Sequence, residues 1–185
     1  YDIYWWAEFA SNPPMMRHNE SYIVQAKHME ALPLLRMISG SDQNLHVEQR
    51  WMEVMRQMQG PDGLLYMPLV GRPWCIFGIY GDGPDDQHYT GPWFMGRLLG
   101  AMTIYHQLLG DPDWIEAGRR VVDGLNELAI HEGDKARFAW HIYGTGGRFK
   151  AGEPSSAVHN PATYLAWCIQ GLTNYFRYSG YRPAL

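Results

Sequence analysis

The sequence predicts an all-α chain made of repeated helix pairs, each with an inner and an outer helix. Three observations predict it. Segments 20–41, 90–111 and 160–181 align without gaps at a period of 70 residues. Each closes on a glycine, at Gly40, Gly110 and Gly180, the residue that best tolerates the left-handed backbone just past a helix end. The intervening stretches carry apolar residues at helical spacing. A fixed period of this size marks a repeated supersecondary unit.

The aligned segments supply the inner helices. Small residues recur in register at Ala26, Gly96 and Ala166, and again at Ala31, Ala101 and Gly171. Larger apolar residues recur beside them at Met29, Leu99 and Ile169, then at Leu35, Tyr105 and Tyr175. The small positions let neighbouring helices approach closely. Pro92 and Pro161 suit a first helical position, with Gly91 and Asn160 as N-caps. Over 94–109 the apolar residues run all round the helix, as expected of a helix buried on several sides. Pro33 is the exception, since an interior proline costs about 3 kcal/mol and should kink the first helix.

The outer helices read differently. Val47, Trp51, Val54, Met55 and Met58 form one stripe, and so do Trp114, Gly118, Val121, Val122, Leu125, Leu128 and Ala129. Such helices bury one face and leave the other polar. Asp111 is the expected N-cap of the second, with Pro112 in its first turn. The turns from inner to outer helix are short. The returns, 60–91 and 131–159, are long, and loops of that length in a compact domain usually serve function. They open where the inner helices begin.

Composition narrows the function classes. Of 185 residues, 46% are hydrophobic and 18% charged, which excludes a disordered tail or a coiled-coil rod. The net charge is 15 − 19 = −4 and no basic run grips a phosphate backbone, so nucleic acid is not an expected partner. No apolar stretch is long enough to span a bilayer, so neither is a membrane. Cys75 and Cys168 lack metal-ligand spacing; two buried thiols are expected, with one disulfide as the alternative. The run 144–147 lacks the lysine and helix of a phosphate loop, and 81–86 lacks the EF-hand pattern. Neither a metal nor a cofactor is expected.

The alternating inner and outer helices, the period near 70 and the long aromatic loops at one face resemble the (α/α)6 toroid of six-hairpin glycosidases. The stretches Gly60-Pro61-Asp62-Gly63-Leu64-Leu65-Tyr66 and Leu109-Gly110-Asp111-Pro112-Asp113-Trp114 look like loops of that fold. The resemblance covers the whole chain as architecture. It implies a substrate pocket at the N-terminal ends of the inner helices. A closed ring of six hairpins at this period needs about 420 residues. The chain is therefore expected to form one partial domain over 1–185, about half a toroid. The rest of its own toroid would be its partner, and a strip of apolar surface would be exposed where further repeats pack.

The residues gathering at that end point to carbohydrate. The chain holds 8 Trp and 12 Tyr. Trp5, Trp6, Trp74, Trp93, Trp140, Tyr66 and Tyr143 fall in or beside the returns, where rings can pack on the C–H faces of sugars. His18, His88 and His159 each precede an inner helix, at spacings of 70 and 71. Imidazoles there could orient substrate or move a proton near neutral pH. Glycoside hydrolysis typically uses two carboxylates. Asp86 beside Asp85 and Glu153 in the next return are the preferred pair, with His88 as a third catalytic candidate. Asp62 in Pro61-Asp62-Gly63 reads as a turn former. Arg72 and Arg148, with Arg17, are cations suited to an acidic sugar.

The leading expectation is thus a glycoside hydrolase acting on an oligo- or polysaccharide. A polysaccharide lyase on the same scaffold is the alternative, with a His or Tyr base and an Arg or Asn neutralising a uronate. A non-catalytic helical-repeat binding module is a third reading, and the long aromatic returns count against it.

Overall fold

The computed structural model describes residues 6–8, 12–13, 15–17, 21–68, 88–138, 143–144 and 162–185. Within them the chain is mainly helical, with helices α1 (Ser21–Ser39), α2 (Leu45–Gln57), α3 (Pro92–Leu109), α4 (Asp113–Leu128) and α5 (Ala162–Ser179). Short strands β1 (Trp6–Glu8), β2 (Met15–Arg17), β3 (Met67–Pro68), β4 (His88–Thr90), β5 (Ile130–Glu132), β6 (Lys135–Arg137) and β7 (Tyr143–Gly144) make three small sheets. The sequence carries no alternating pattern that announces these strands.

α3 lies between α1 and α5, while α2 packs on α1 and α4 packs on both α3 and α5. The inner and outer layers are therefore those the periodicity predicts. Gly40, Gly110 and Gly180 adopt φ of 63°, 67° and 72°, and each N–H closes its helix on a carbonyl four residues back, at 2.7–2.9 Å. Gly91 caps α3 in an extended conformation, ahead of Pro92. α1 continues as one helix through a buried Pro33.

The α3–α5 contact depends on two missing side chains. A Cβ on Gly96 would stand 2.0 Å from the Trp167 carbonyl oxygen, and one on Gly171 would stand 2.2 Å from the Gly96 carbonyl oxygen. The two backbones touch. Around them a core forms from Met29, Leu98, Leu99 and Met102 on the inner layer and Trp51, Met55, Trp114, Val121 and Leu125 on the outer. Cys168 is a free, buried thiol in this core, and burial pushes its pKa up to about 12. Cys75 lies outside the described residues.

The stripe on α2 includes one residue that the apolar pattern hides. Glu48 is buried, and both its oxygens accept hydrogen bonds from Arg36 of α1, at 2.8 and 3.1 Å. α4 begins at Asp113, two residues past Asp111, whose Oδ1 accepts the Asp113 N–H at 3.0 Å. Asp111 also takes a hydrogen bond from Arg56 at the end of α2. The Arg56 guanidinium, then the Asp113 N–H, hold the Asp111 carboxyl below the usual carboxylate range. A depressed pKa stabilises the fold above the unfolded value of about 3.9, and that contribution is lost as pH falls through the folded value. Side-chain carbon NMR of Asp111 should therefore titrate below pH 3.9, and Arg56→Gln should move its midpoint upward.

The turn 60–66 locks the first return onto α4. Gly63 adopts φ +83°, and a Cβ there would meet the Arg120 backbone oxygen at 2.1 Å. Gln59 donates to the Gly63 and Ala117 carbonyls, and Arg120 donates to the Gly60 carbonyl. Asp62 accepts the Leu64 N–H and the Tyr66 hydroxyl, the turn-forming role expected of it.

Equivalent repeat positions differ sharply in exposure. Leu99 is fully buried, whereas Ile169, one period later, is 54% exposed. Tyr105 is fully buried, whereas Leu35, one period earlier, is 60% exposed. The outward faces of α1 and α5 thus carry apolar rows, Leu34, Leu35 and Ile38 on one and Leu165 and Ile169 on the other. Among the described helices none is long and apolar enough to cross a membrane.

Candidate functional site

The two long returns meet over the start of α3. β4 pairs with β3 on one side, Pro68 opposite His88 and Met67 opposite Tyr89. It pairs with β7 on the other, Gly144 opposite Tyr89 and Tyr143 opposite Thr90. Two residues after Thr90 the chain enters α3 at Pro92. The first return and the second are therefore stitched together at an inner-helix N-terminus. Thr90 is fully buried there, and its hydroxyl has no hydrogen-bond partner among the described residues. The β1–β2 hairpin pairs Trp6 with Arg17, four residues ahead of α1.

Several expected site residues come together at this end. His88 and Tyr143 stand on the central sheet, with Tyr66 directly before β3 and Trp93 in the first turn of α3. Tyr66, Trp93 and Tyr143 are buried. Trp5, His18, Arg72, Trp74, Asp86, Trp140, Arg148, Glu153 and His159 lie outside the described residues. So do the two other candidate loops, 81–86 and 145–147. No group of three or more His, Cys, Asp or Glu able to hold a metal occurs among the described residues.

A second group of residues lies one and a half turns below the helix starts. On α3 the less buried row is Arg97, Gly100, Ile104 and Gln107, the face left open by α1, α4 and α5. Arg97 Nη1 donates to Glu30 Oε2 of α1 at 3.0 Å. Gly100 makes room for that carboxylate, since a Cβ would come within 3.0 Å of Glu30 Oε1. The indole of Trp167 on α5 has the Lys27 ammonium 5.0 Å from its centroid and the Arg97 guanidinium 5.4 Å away. Trp93 stacks beside it, centroids 6.4 Å apart and planes 18° from parallel. One residue from each inner helix thus converges on this open face.

Lys27, Arg97 and Trp167 escaped the reading of the sequence, although a signal was present. They are separated by 70 and 70 residues, so they hold one repeat position. Their chemistry differs, so no recurring residue type drew attention to them.

No family model matches the chain, and no curated protein matches it. Among solved structures, the fold is similar to that of a sugar epimerase from a ruminal bacterium, with a TM-score of 0.59 and 14% identity. The match covers 88% of this chain and 40% of that one. At that identity the likeness is one of fold. The chain spans well under half the length of the epimerase.

Proposed function

We propose that this chain is part of a carbohydrate-active enzyme of the α/α-toroid type, with its substrate held at the N-terminal ends of the inner helices. The observation that carries the reading is the β3–β4–β7 sheet, which joins both long returns over the start of α3. Residues distant in sequence are thereby brought to one end of the helix layer. That a sugar epimerase uses the same fold supports a sugar as the substrate.

Within this reading the reaction is glycoside hydrolysis. Asp86, two residues ahead of β4, acts as general acid, and Glu153, nine residues beyond β7, acts as base or nucleophile. His88 orients the leaving group or relays its proton. Trp5, Trp6, Trp74 and Trp140 hold sugar rings, and His18, His159, Arg72 and Arg148 fix their hydroxyls or carboxylates. The exposed rows on α1 and α5 are covered by further hairpins of the same repeat.

A second reading, sugar epimerisation, is favoured by the fold likeness. There His88 and a second base would remove a proton from a carbon beside a carbonyl and return it to the opposite face. Incubating the protein with oligosaccharides in deuterated water separates the two. Hydrolysis is expected to release new reducing ends without placing deuterium on carbon. Deuterium on a stereocentre without new reducing ends would replace hydrolysis with epimerisation. An ultraviolet-absorbing unsaturated product would instead identify a lyase. None of these changes on a broad glycan panel would refute the enzyme reading.

A further inference from the structure

We propose that Lys27 and Arg97, held on the indole of Trp167, form a subsite for a sugar carboxylate, so that the glycan is an acidic, uronate-bearing one. The inference rests on the carbohydrate reading above and names its substrate class.

The charge arithmetic comes first. Two cations and one carboxylate, Lys27, Arg97 and Glu30, leave one positive charge on this face among the described residues. Glu30 is engaged by Arg97 at 3.0 Å. Lys27 makes no ion pair among the described residues, and its ammonium lies over the Trp167 ring. An ammonium held over a ring keeps its charge free to meet a carboxylate.

The geometry comes next. Both cationic heads sit within 5.4 Å of one indole centroid, and they come from different helices, α1 and α3. Cation–π attraction fixes their position, so less rotamer entropy is lost when an anion arrives. Arg97 uses Nη1 on Glu30, while its buried Nε has no acceptor among the described residues. A planar carboxylate is the group that matches a guanidinium.

The location fits a substrate. Lys27, Arg97 and Trp167 lie five or six residues into their helices, about 8 Å below the helix starts at 1.5 Å per residue. The face they share is the one that no described helix covers. A glycan entering from the returns would reach it with one ring.

The test compares the galacturonic acid trisaccharide with its carboxyl-reduced counterpart, by titration calorimetry on the full protein. The acidic sugar is expected to bind at least tenfold more tightly, and 0.5 M salt should erode the difference. Lys27→Met keeps an apolar stem against Trp167 while removing the charge. It should abolish most of the preference and leave the neutral sugar within twofold, and Lys27→Arg should restore the preference. Equal binding of the two sugars, or an equal loss for both in Lys27→Met, overturns the carboxylate subsite and leaves the carbohydrate reading standing. If neither sugar binds while a neutral oligosaccharide of other composition does, the carboxylate subsite falls alone; if no oligosaccharide binds, the carbohydrate reading falls and takes the subsite with it.

Discussion

Gly171→Ala should destabilise the protein by about 3 kcal/mol, although alanine is the better helix former. At an exposed helix position the same change gains about 1 kcal/mol in propensity. Here the new methyl would stand 2.2 Å from the Gly96 carbonyl oxygen and 2.3 Å from its Cα. Both obstacles are backbone, so no rotamer change relieves them, and α3 and α5 must move apart. Overpacking a close interface costs about 1–3 kcal/mol and more where the backbone has to shift. The helices flanking the gap carry Leu98, Leu99 and Cys168, all buried, so separation would also loosen their packing. Gly100→Ala is the control. Its methyl meets the far end of the Glu30 side chain at 3.0 Å, which can swing away, so the change should stay within about 1 kcal/mol. Chemical denaturation of the two variants measures the contrast. A stabilised Gly171→Ala protein would show that α3 and α5 are not in backbone contact.

That contact was legible in the sequence because glycine and alanine recurred at fixed positions, and close approach is the physical reason for small residues mid-helix. The helix ends were legible for the same kind of reason, since left-handed backbone at Gly40, Gly110 and Gly180 demands glycine. The central sheet was not legible. Its strands are two or three residues long, too short for alternation, and their pairing joins segments far apart in the chain. Glu48 was hidden differently. An acid on a helix normally faces water, and only the approach of Arg36 from α1 makes its burial tolerable. The Lys27–Arg97–Trp167 face was present as spacing but not as residue type. Its meaning comes from three helices converging, which a single helical pattern does not encode. The candidates Asp86 and Glu153 rest on the chemistry of hydrolysis and on their sequence positions flanking β4 and β7.

Ile169→Asp should destabilise the protein by about 2–4 kcal/mol, even though Ile169 is 54% exposed on α5. The repeat supplies the reason. α1 presents Ala26 and Met29 to the interior, both buried, and α3 presents Gly96 and Leu99 to α5 at the same positions. The next equivalents, Ala166 and Ile169, are exposed. The opposite face behaves in mirror fashion. Ala101 and Tyr105 of α3 are buried, while Leu35 of α1 is 60% exposed. A groove of about 540 Å³, lined in part by Leu32, Leu35, Val47 and Glu48, opens there between α1 and α2. Each inner helix thus offers one face to the next helix and a different face to the previous one. Such a head-to-tail contact does not satisfy itself. It repeats until a ring closes or the array ends. Exposed apolar rows of this kind mark surfaces that another element covers. If further hairpins of the repeat pack on α5, an aspartate at 169 would be buried without a partner and would carry the cost of an unpaired polar group in an apolar interface. If water covers α5, the substitution lies on the surface and should change stability by no more than about 0.5 kcal/mol. Measured on the protein as its full reading frame encodes it, the size of that one change decides whether the helix layer continues past α5. Leu35→Asp poses the same question at α1, and a toroid requires both to be costly.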